Sequence, residues 1–138
     1  MSAAENKQLM QRIYSELSQG NSRPLLESMA EDVCWTVAGN TTWSGTYRGK
    51  QAVLKELLGP LRERFAQPYR ATAERIIAEG DQVMIEVRGE VMTKAGKPYN
   101  NSYCFIYRLA DGKVQELTEY CDTELITAAL GRREAAGA

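Results

Sequence analysis

Glu86, Arg88 and Glu119 are the side chains of this 138-residue sequence best suited to moving a proton. In Val83-Met84-Ile85-Glu86-Val87-Arg88-Gly89-Glu90-Val91-Met92, residues two apart share a face of a strand. One face is therefore Val83, Ile85, Val87, Gly89 and Val91, and the other is Met84, Glu86, Arg88, Glu90 and Met92. If Glu86, Arg88 and Glu119 converge in a cavity, Arg88 holds one carboxylate ionised through a bidentate contact. The carboxyl without the guanidinium then has a raised pKa, and the two form an acid/base pair able to move a proton or position a water. In that arrangement Glu119 is the base, Glu86 its acid partner, Arg88 the clamp, and Tyr103 a hydrogen-bond donor. The alternative is a ladder of ion pairs on a solvated sheet face, worth about 0–1 kcal/mol per pair. The acid/base reading needs a cavity of roughly 300 Å³ or more with Glu119 reachable from it. It fails if Arg88 is directed to bulk water.

Composition narrows the chemistry further. The sequence has no histidine, which removes imidazole acid/base catalysis and the commonest metal ligand, so no metal site and no cofactor are expected. Cys34, Cys104 and Cys121 show no C-x-x-C spacing and read as buried free thiols of a reducing compartment. Net charge is −1 with no lysine/arginine stripe, so neither nucleic acid nor an anionic membrane is expected as a partner. The N-terminus lacks an apolar leader-like stretch, and the chain reads as cytoplasmic.

The elements that must carry these residues follow from periodicity. Leu9, Met10, Ile13, Tyr14 and Leu17 predict a helix over 5–19 that stops at Gly20. Ser22 and Pro24 suit the start of a short second helix. Residues 33–37 predict a strand, and 38–49 a loop holding Trp43 and Tyr47, with Trp43 a candidate lid. Residues 50–65 predict a third helix, which Gly59-Pro60 should kink or divide. Strands follow at 69–79, 84–93, 100–109 and 114–122, the last two joined by a tight turn at Asp111-Gly112. A short helix is predicted at 124–130. Helices first and a meander afterwards predict an α+β fold in one domain, with its core at about 5–130 and a frayed tail over 131–138.

That order of elements resembles the SnoaL-like, nuclear transport factor 2-like superfamily, which includes ketosteroid isomerases and limonene-1,2-epoxide hydrolase. The resemblance covers nearly all of 5–130. It is carried by Met29-Ala30-Glu31-Asp32-Val33, Tyr47-Arg48-Gly49-Lys50-Gln51-Ala52-Val53 and Asp111-Gly112-Lys113-Val114, running on to Glu119-Tyr120-Cys121-Asp122-Thr123. It implies a curved antiparallel sheet wrapped on three N-terminal helices, a cone-shaped, cystatin-like roll with an internal pocket for a small hydrophobic ligand. By position, the isomerases' oxyanion tyrosine falls on Ile13, their base aspartate near Val37 and their protonated aspartate near Cys104, so steroid isomerase groups do not carry over. The hydrolase's Arg-x-Asp pair and later Asp fall on Glu86-Val87-Arg88 and Glu119, with the first two charges exchanged. Its water-holding Tyr and Asn fall on Trp35 and Val37.

The resemblance places Glu86, Arg88 and Glu119 in the pocket. Tyr14, Trp35, Val37, Trp43, Asn101, Leu117, Cys121 and Ile126 are expected to line it. Val83, Ile85, Val87 and Val91 then lie outside, where an apolar sheet face marks an interface, and a homodimer is expected through it. Carboxylate-based isomerase, cyclase or hydrolase chemistry is one function this implies. A non-catalytic ligand-binding or assembly module is the other.

Overall fold

A computed structural model describes residues 1–134. Helix α1 (Ala3–Leu17) opens with a capping box between Ser2 and Glu5 and buries Met10, Ile13, Tyr14 and Leu17. Helix α2 (Arg23–Ser28) has Pro24 in its first turn, where a missing N–H costs nothing. Ser22 makes no side-chain cap there. Strand β1 (Met29–Val37) and the short β2 (Gly45–Arg48) pair antiparallel. β2 lies within the segment expected to be loop.

The third helical stretch divides where Gly59-Pro60 predicts. It runs as α3 (Lys50–Ala52), a π-helical segment over Val53–Leu58, and α4 (Gly59–Arg64). The Gly59 N–H reaches back five residues to the Leu54 carbonyl, and a β-carbon on Gly59 would sit 3.0 Å from that oxygen. Pro60 has no N–H to offer the Glu56 carbonyl four residues behind it. That carbonyl accepts instead from Arg133 Nη1 at 2.7 Å.

Strands β3 (Arg70–Glu79), β4 (Gln82–Glu90), β5 (Ser102–Ala110) and β6 (Lys113–Cys121) form the predicted antiparallel meander, and α5 (Thr123–Leu130) closes the fold behind an Asp122 cap. The sheet order is β2-β1-β6-β5-β4-β3. β1 joins β6 in parallel, the one departure from antiparallel pairing in this curved sheet.

The face of β4 is the reverse of the expectation. Val83, Ile85, Val87 and Val91 are at most 2% exposed and belong to the core. They cannot form an outer dimer surface. Glu86, Arg88 and Glu90 point outward: Glu86 pairs with Arg75, and Arg88 Nη1 donates to Ser102 Oγ at 3.3 Å on the exposed side. The reason lies in the pairing row. Ile85 stands between Ile76 and Phe105, and Phe105 in turn pairs with Glu119. Turning Glu86 inward would expose this apolar row and bury two more charges.

The C-terminal residues that the structure describes are docked rather than frayed. Arg133 N donates to Thr42 Oγ1 at 2.9 Å, and Arg133 Nη2 to the Tyr47 hydroxyl at 2.6 Å. Residues 135–138 of the expected tail lie outside the described residues. No helix among the described residues is long and apolar enough to cross a membrane.

Candidate functional site

The cone encloses a cavity of about 420 Å³ between the inner sheet face, α1, α2 and α4. Eight aromatic rings line it: Tyr14, Trp35, Phe65, Tyr69, Tyr99, Tyr103, Phe105 and Tyr107. They form one connected system. Phe105 is its hub, 5.1 Å from Tyr103, 5.8 Å from Tyr107 and 6.2 Å edge-on from Trp35. Tyr107 meets Tyr14 edge-on, Tyr103 meets Tyr69, and Phe65 stacks between Tyr69 and Tyr99. Offset and edge-on pairs of this kind are each worth about 0.5–1.5 kcal/mol beyond area burial, so the wall is held by its own ring contacts. The exposed Arg62, Gln67 and Pro68 form the rim, where Arg62 Nη2 donates to Ser22 Oγ at 3.2 Å.

Glu119 is the one acidic residue lining this cavity. A register shift aims it there. Arg108 pairs with Glu116 but Leu109 pairs with Val114, so β6 carries an extra residue between them. This bulge resets the alternation, and Leu117 and Glu119 turn inward together with Val114. The tight turn before it, with φ of 51° at Asp111 and 75° at Gly112, fixes where the count begins.

The carboxylate is 9% exposed and has two neutral partners. The Trp35 indole Nε1–H donates to Oε1 at 3.1 Å, and the Cys121 thiol donates to Oε2 at 3.6 Å. Burial pushes the Glu119 carboxyl up from 4.5 to about 7, against the opposing pull of these two donors. The same burial raises the Cys121 thiol, with the Glu119 charge adding to it. The phenols of Tyr14, Tyr69, Tyr99, Tyr103 and Tyr107 are all raised, chiefly by burial, and stay protonated. Tyr14 and Tyr107 share one short hydroxyl–hydroxyl hydrogen bond of 2.6 Å.

Of the residues expected at the site, the structure brings Glu119, Tyr103, Tyr14 and Trp35 to the cavity wall. Cys121 stands behind Glu119 as its hydrogen-bond donor. Glu86 and Arg88 are on the opposite side of the sheet, so no guanidinium clamps Glu119 and the three-group acid/base mechanism fails. Val37, Leu117 and Ile126 are buried packing residues outside the cavity lining. Asn101 is a structural linchpin: its Nδ2 donates to the Tyr99 hydroxyl and the Asp122 carbonyl, and its Oδ1 accepts from Asp122 N. Trp43 is not a lid. It is 2% exposed, held between the guanidinium groups of Arg64 at 4.6 Å and Arg133 at 3.9 Å, and donates to the Gly131 carbonyl. The three cysteines are free but half-buried rather than fully buried.

Phe65, Tyr69, Tyr99, Phe105 and Tyr107 are cavity rings that the site assignment from sequence left out. The signal for Phe105 was the i, i+2 run of Tyr103, Phe105 and Tyr107 on one strand face. Tyr69 had none; in the structure a β-carbon at Gly89 would fall 2.2 Å from the Tyr69 hydroxyl oxygen. Glycine at that point lets the phenol lie across β4.

The chain belongs to the SnoaL-like domain family, whose model matches residues 10–117. No curated protein sequence matches it. Among solved structures, an NTF2-like protein from Burkholderia xenovorans LB400 is 25% identical with a TM-score of 0.70, covering 94% of this chain and 98% of that one. A protein from Jannaschia sp. CCS1 assigned as a SnoaL-like polyketide cyclase is 18% identical with a TM-score of 0.75, covering 94% and 93%. TerC, co-crystallised with polyporic acid, is 21% identical with a TM-score of 0.74, covering 91% and 97%. These last two likenesses are of fold.

Proposed function

We propose that this protein binds a small, largely hydrophobic molecule inside the cone, with Glu119 meeting the ligand's one polar function. The carrying observation is a lone buried carboxyl in the wall of a cavity of about 420 Å³ that is otherwise mostly aromatic and aliphatic. A cavity of this size and lining suits a drug-sized ligand. Eight rings supply contact area, and one titratable group supplies orientation. That a protein of the same fold, TerC, was co-crystallised with polyporic acid fits this reading.

A second reading, proton-transfer catalysis on the bound molecule, is favoured by one further observation. Glu119 has its pKa near 7, where a group serves equally as acid and base. Isomerase- or cyclase-type chemistry needs such a group within reach of the substrate, and Glu119 now stands for it without Glu86 or Arg88.

Ligand-induced thermal stabilisation in a screen of hydrophobic metabolites tests binding. For any hit, Glu119→Gln separates the two readings. Loss of turnover with stabilisation retained supports catalysis, whereas a hit that is bound but never converted by the native protein supports binding alone. A screen in which cavity-filling substitution of Phe105 changes no hit's stabilisation would sink the pocket as the site.

A further inference from the structure

Nothing positively charged stands against Glu119. It joins none of the ion pairs among the described residues. The only cationic side chain lining the cavity, Arg62, is an exposed rim residue bonded to Ser22. Both groups that donate to the carboxylate are neutral. An ionised carboxylate in an apolar site without a charge partner is costly, and a ligand that brings the opposite charge offsets part of that cost. The walls point the same way. Ring faces carry negative potential and attract cations, most strongly from Trp and Tyr. Trp35 and Phe105 stand beside the carboxylate, with Tyr103 and Tyr107 flanking Phe105.

We propose that the polar function of the ligand is a cationic nitrogen, a protonated or quaternary amine on a hydrophobic body, which pairs with Glu119 inside the aromatic wall. The proposal rests on the reading of this cavity as a small-molecule site. An anionic ligand would meet Glu119 and the ring faces with like charge. A neutral hydroxyl donor would satisfy a lone pair but leave the charge uncompensated. A cation answers both the carboxylate and the rings.

The titratable groups around Glu119 are Cys121 on its own strand, Tyr14 on α1, Tyr47 on β2, Tyr69 ahead of β3, Tyr99 ahead of β5, and Tyr103 and Tyr107 on β5. All seven are raised from their ordinary values, so only Glu119 changes charge near neutrality. Affinity for a cation therefore rises as pH increases through about 7, as Glu119 ionises.

The test is calorimetric titration with phenylbutylamine and phenylbutanol, which share one hydrophobic body. At about pH 8 the amine should bind about tenfold more tightly, a difference in the range of one desolvated cation–aromatic and charge contact. That advantage should shrink as pH falls through about 7, while binding of the alcohol stays nearly flat. Glu119→Gln should lose the preference, the two compounds then binding with about equal affinity at every pH. If the variant does not fold, the pH series on the native protein decides. Alcohol binding as tight as the amine's at high pH, or amine binding that strengthens in acid, overturns the cationic ligand and leaves the pocket reading standing. Failure of both compounds to bind at saturating concentration overturns the two together.

Discussion

The indole N–H of Trp35, on β1, donates to Oε1 of Glu119, on the neighbouring parallel strand β6, across 3.1 Å. This bond ties the one carboxyl of the cavity to a natural optical reporter. Protonation of Glu119 changes the acceptor from an anion to a neutral acid and should change Trp35 emission. Trp43, the other tryptophan, is bonded to a backbone carbonyl that does not titrate. Native fluorescence is therefore expected to show a transition with its midpoint near pH 7. Trp35→Phe should abolish that transition and raise the Glu119 pKa, because the largest force holding it down is gone. A pH-dependent signal of unchanged size in the variant would assign the transition to another group.

Glu119 also sets a pH dependence of stability. Its folded-state pKa, about 7, lies above its ordinary 4.5, so the folded protein holds a proton that the unfolded chain releases. The stability this contributes is fully present below about pH 4.5 and is lost as pH rises through about 7. A shift of this size corresponds to about 3 kcal/mol. Glu119→Gln should consequently be more stable than the native protein at about pH 8, by up to about 3 kcal/mol, and nearly equal to it at about pH 4. Denaturant melts at the two values check this. A variant that is less stable at the higher pH would mean that the carboxylate is paid for by contacts stronger than its two neutral donors.

Gly89 and Tyr69 make a size test of the cavity wall. Any β-carbon at Gly89 collides with the Tyr69 phenol, which is packed against Phe65 and Tyr103. Gly89→Ala should cost about 1–3 kcal/mol through overpacking and shift Tyr69 into the cavity, weakening ligand binding. Adding Tyr69→Phe should recover part of the stability, since the hydroxyl makes the closest contact. Lack of recovery in the double variant would place the strain elsewhere.

Arg133 is expected to matter well beyond its position near the chain end. It fills the Glu56 carbonyl that Pro60 leaves without a helical partner, holds the Tyr47 hydroxyl and covers the Trp43 ring. The helix it steadies carries Leu58 and Leu61 of the cavity wall and ends one residue before Phe65. Arg133→Ala should destabilise by about 1–3 kcal/mol, the scale of an unmade buried hydrogen bond. Ligand dissociation should also quicken, as stopped-flow can show. Native melting and dissociation rates in the variant would reduce Arg133 to a surface ornament.

Much of this was legible in the residues. Helical spacing, Gly59-Pro60 and the Asp111-Gly112 turn located the elements, and parity placed Glu119 with Leu117 and Cys121. The two faces of β4 were also legible, and by alternation alone the charged face was the ordinary solvated one. The family resemblance, not the strand pattern, turned it inward. In the fold Phe105 and Ile76 decide the matter by flanking Ile85, a fact of cross-strand register. The alignment of Glu86 and Arg88 with a hydrolase's charged pair pointed the wrong way because charge positions can be shared while the faces differ. The docking of Arg133 was equally out of reach, since it depends on a carbonyl 77 residues away that a proline leaves free.

The most direct measurement is carbon NMR of the Glu119 carboxyl, followed through a pH titration with and without phenylbutanol. The account predicts a lone glutamate titrating near pH 7, whose resonance moves when the alcohol saturates the protein. A Glu119 carboxyl that titrates near its ordinary 4.5, or one that is indifferent to bound ligand, would contradict it.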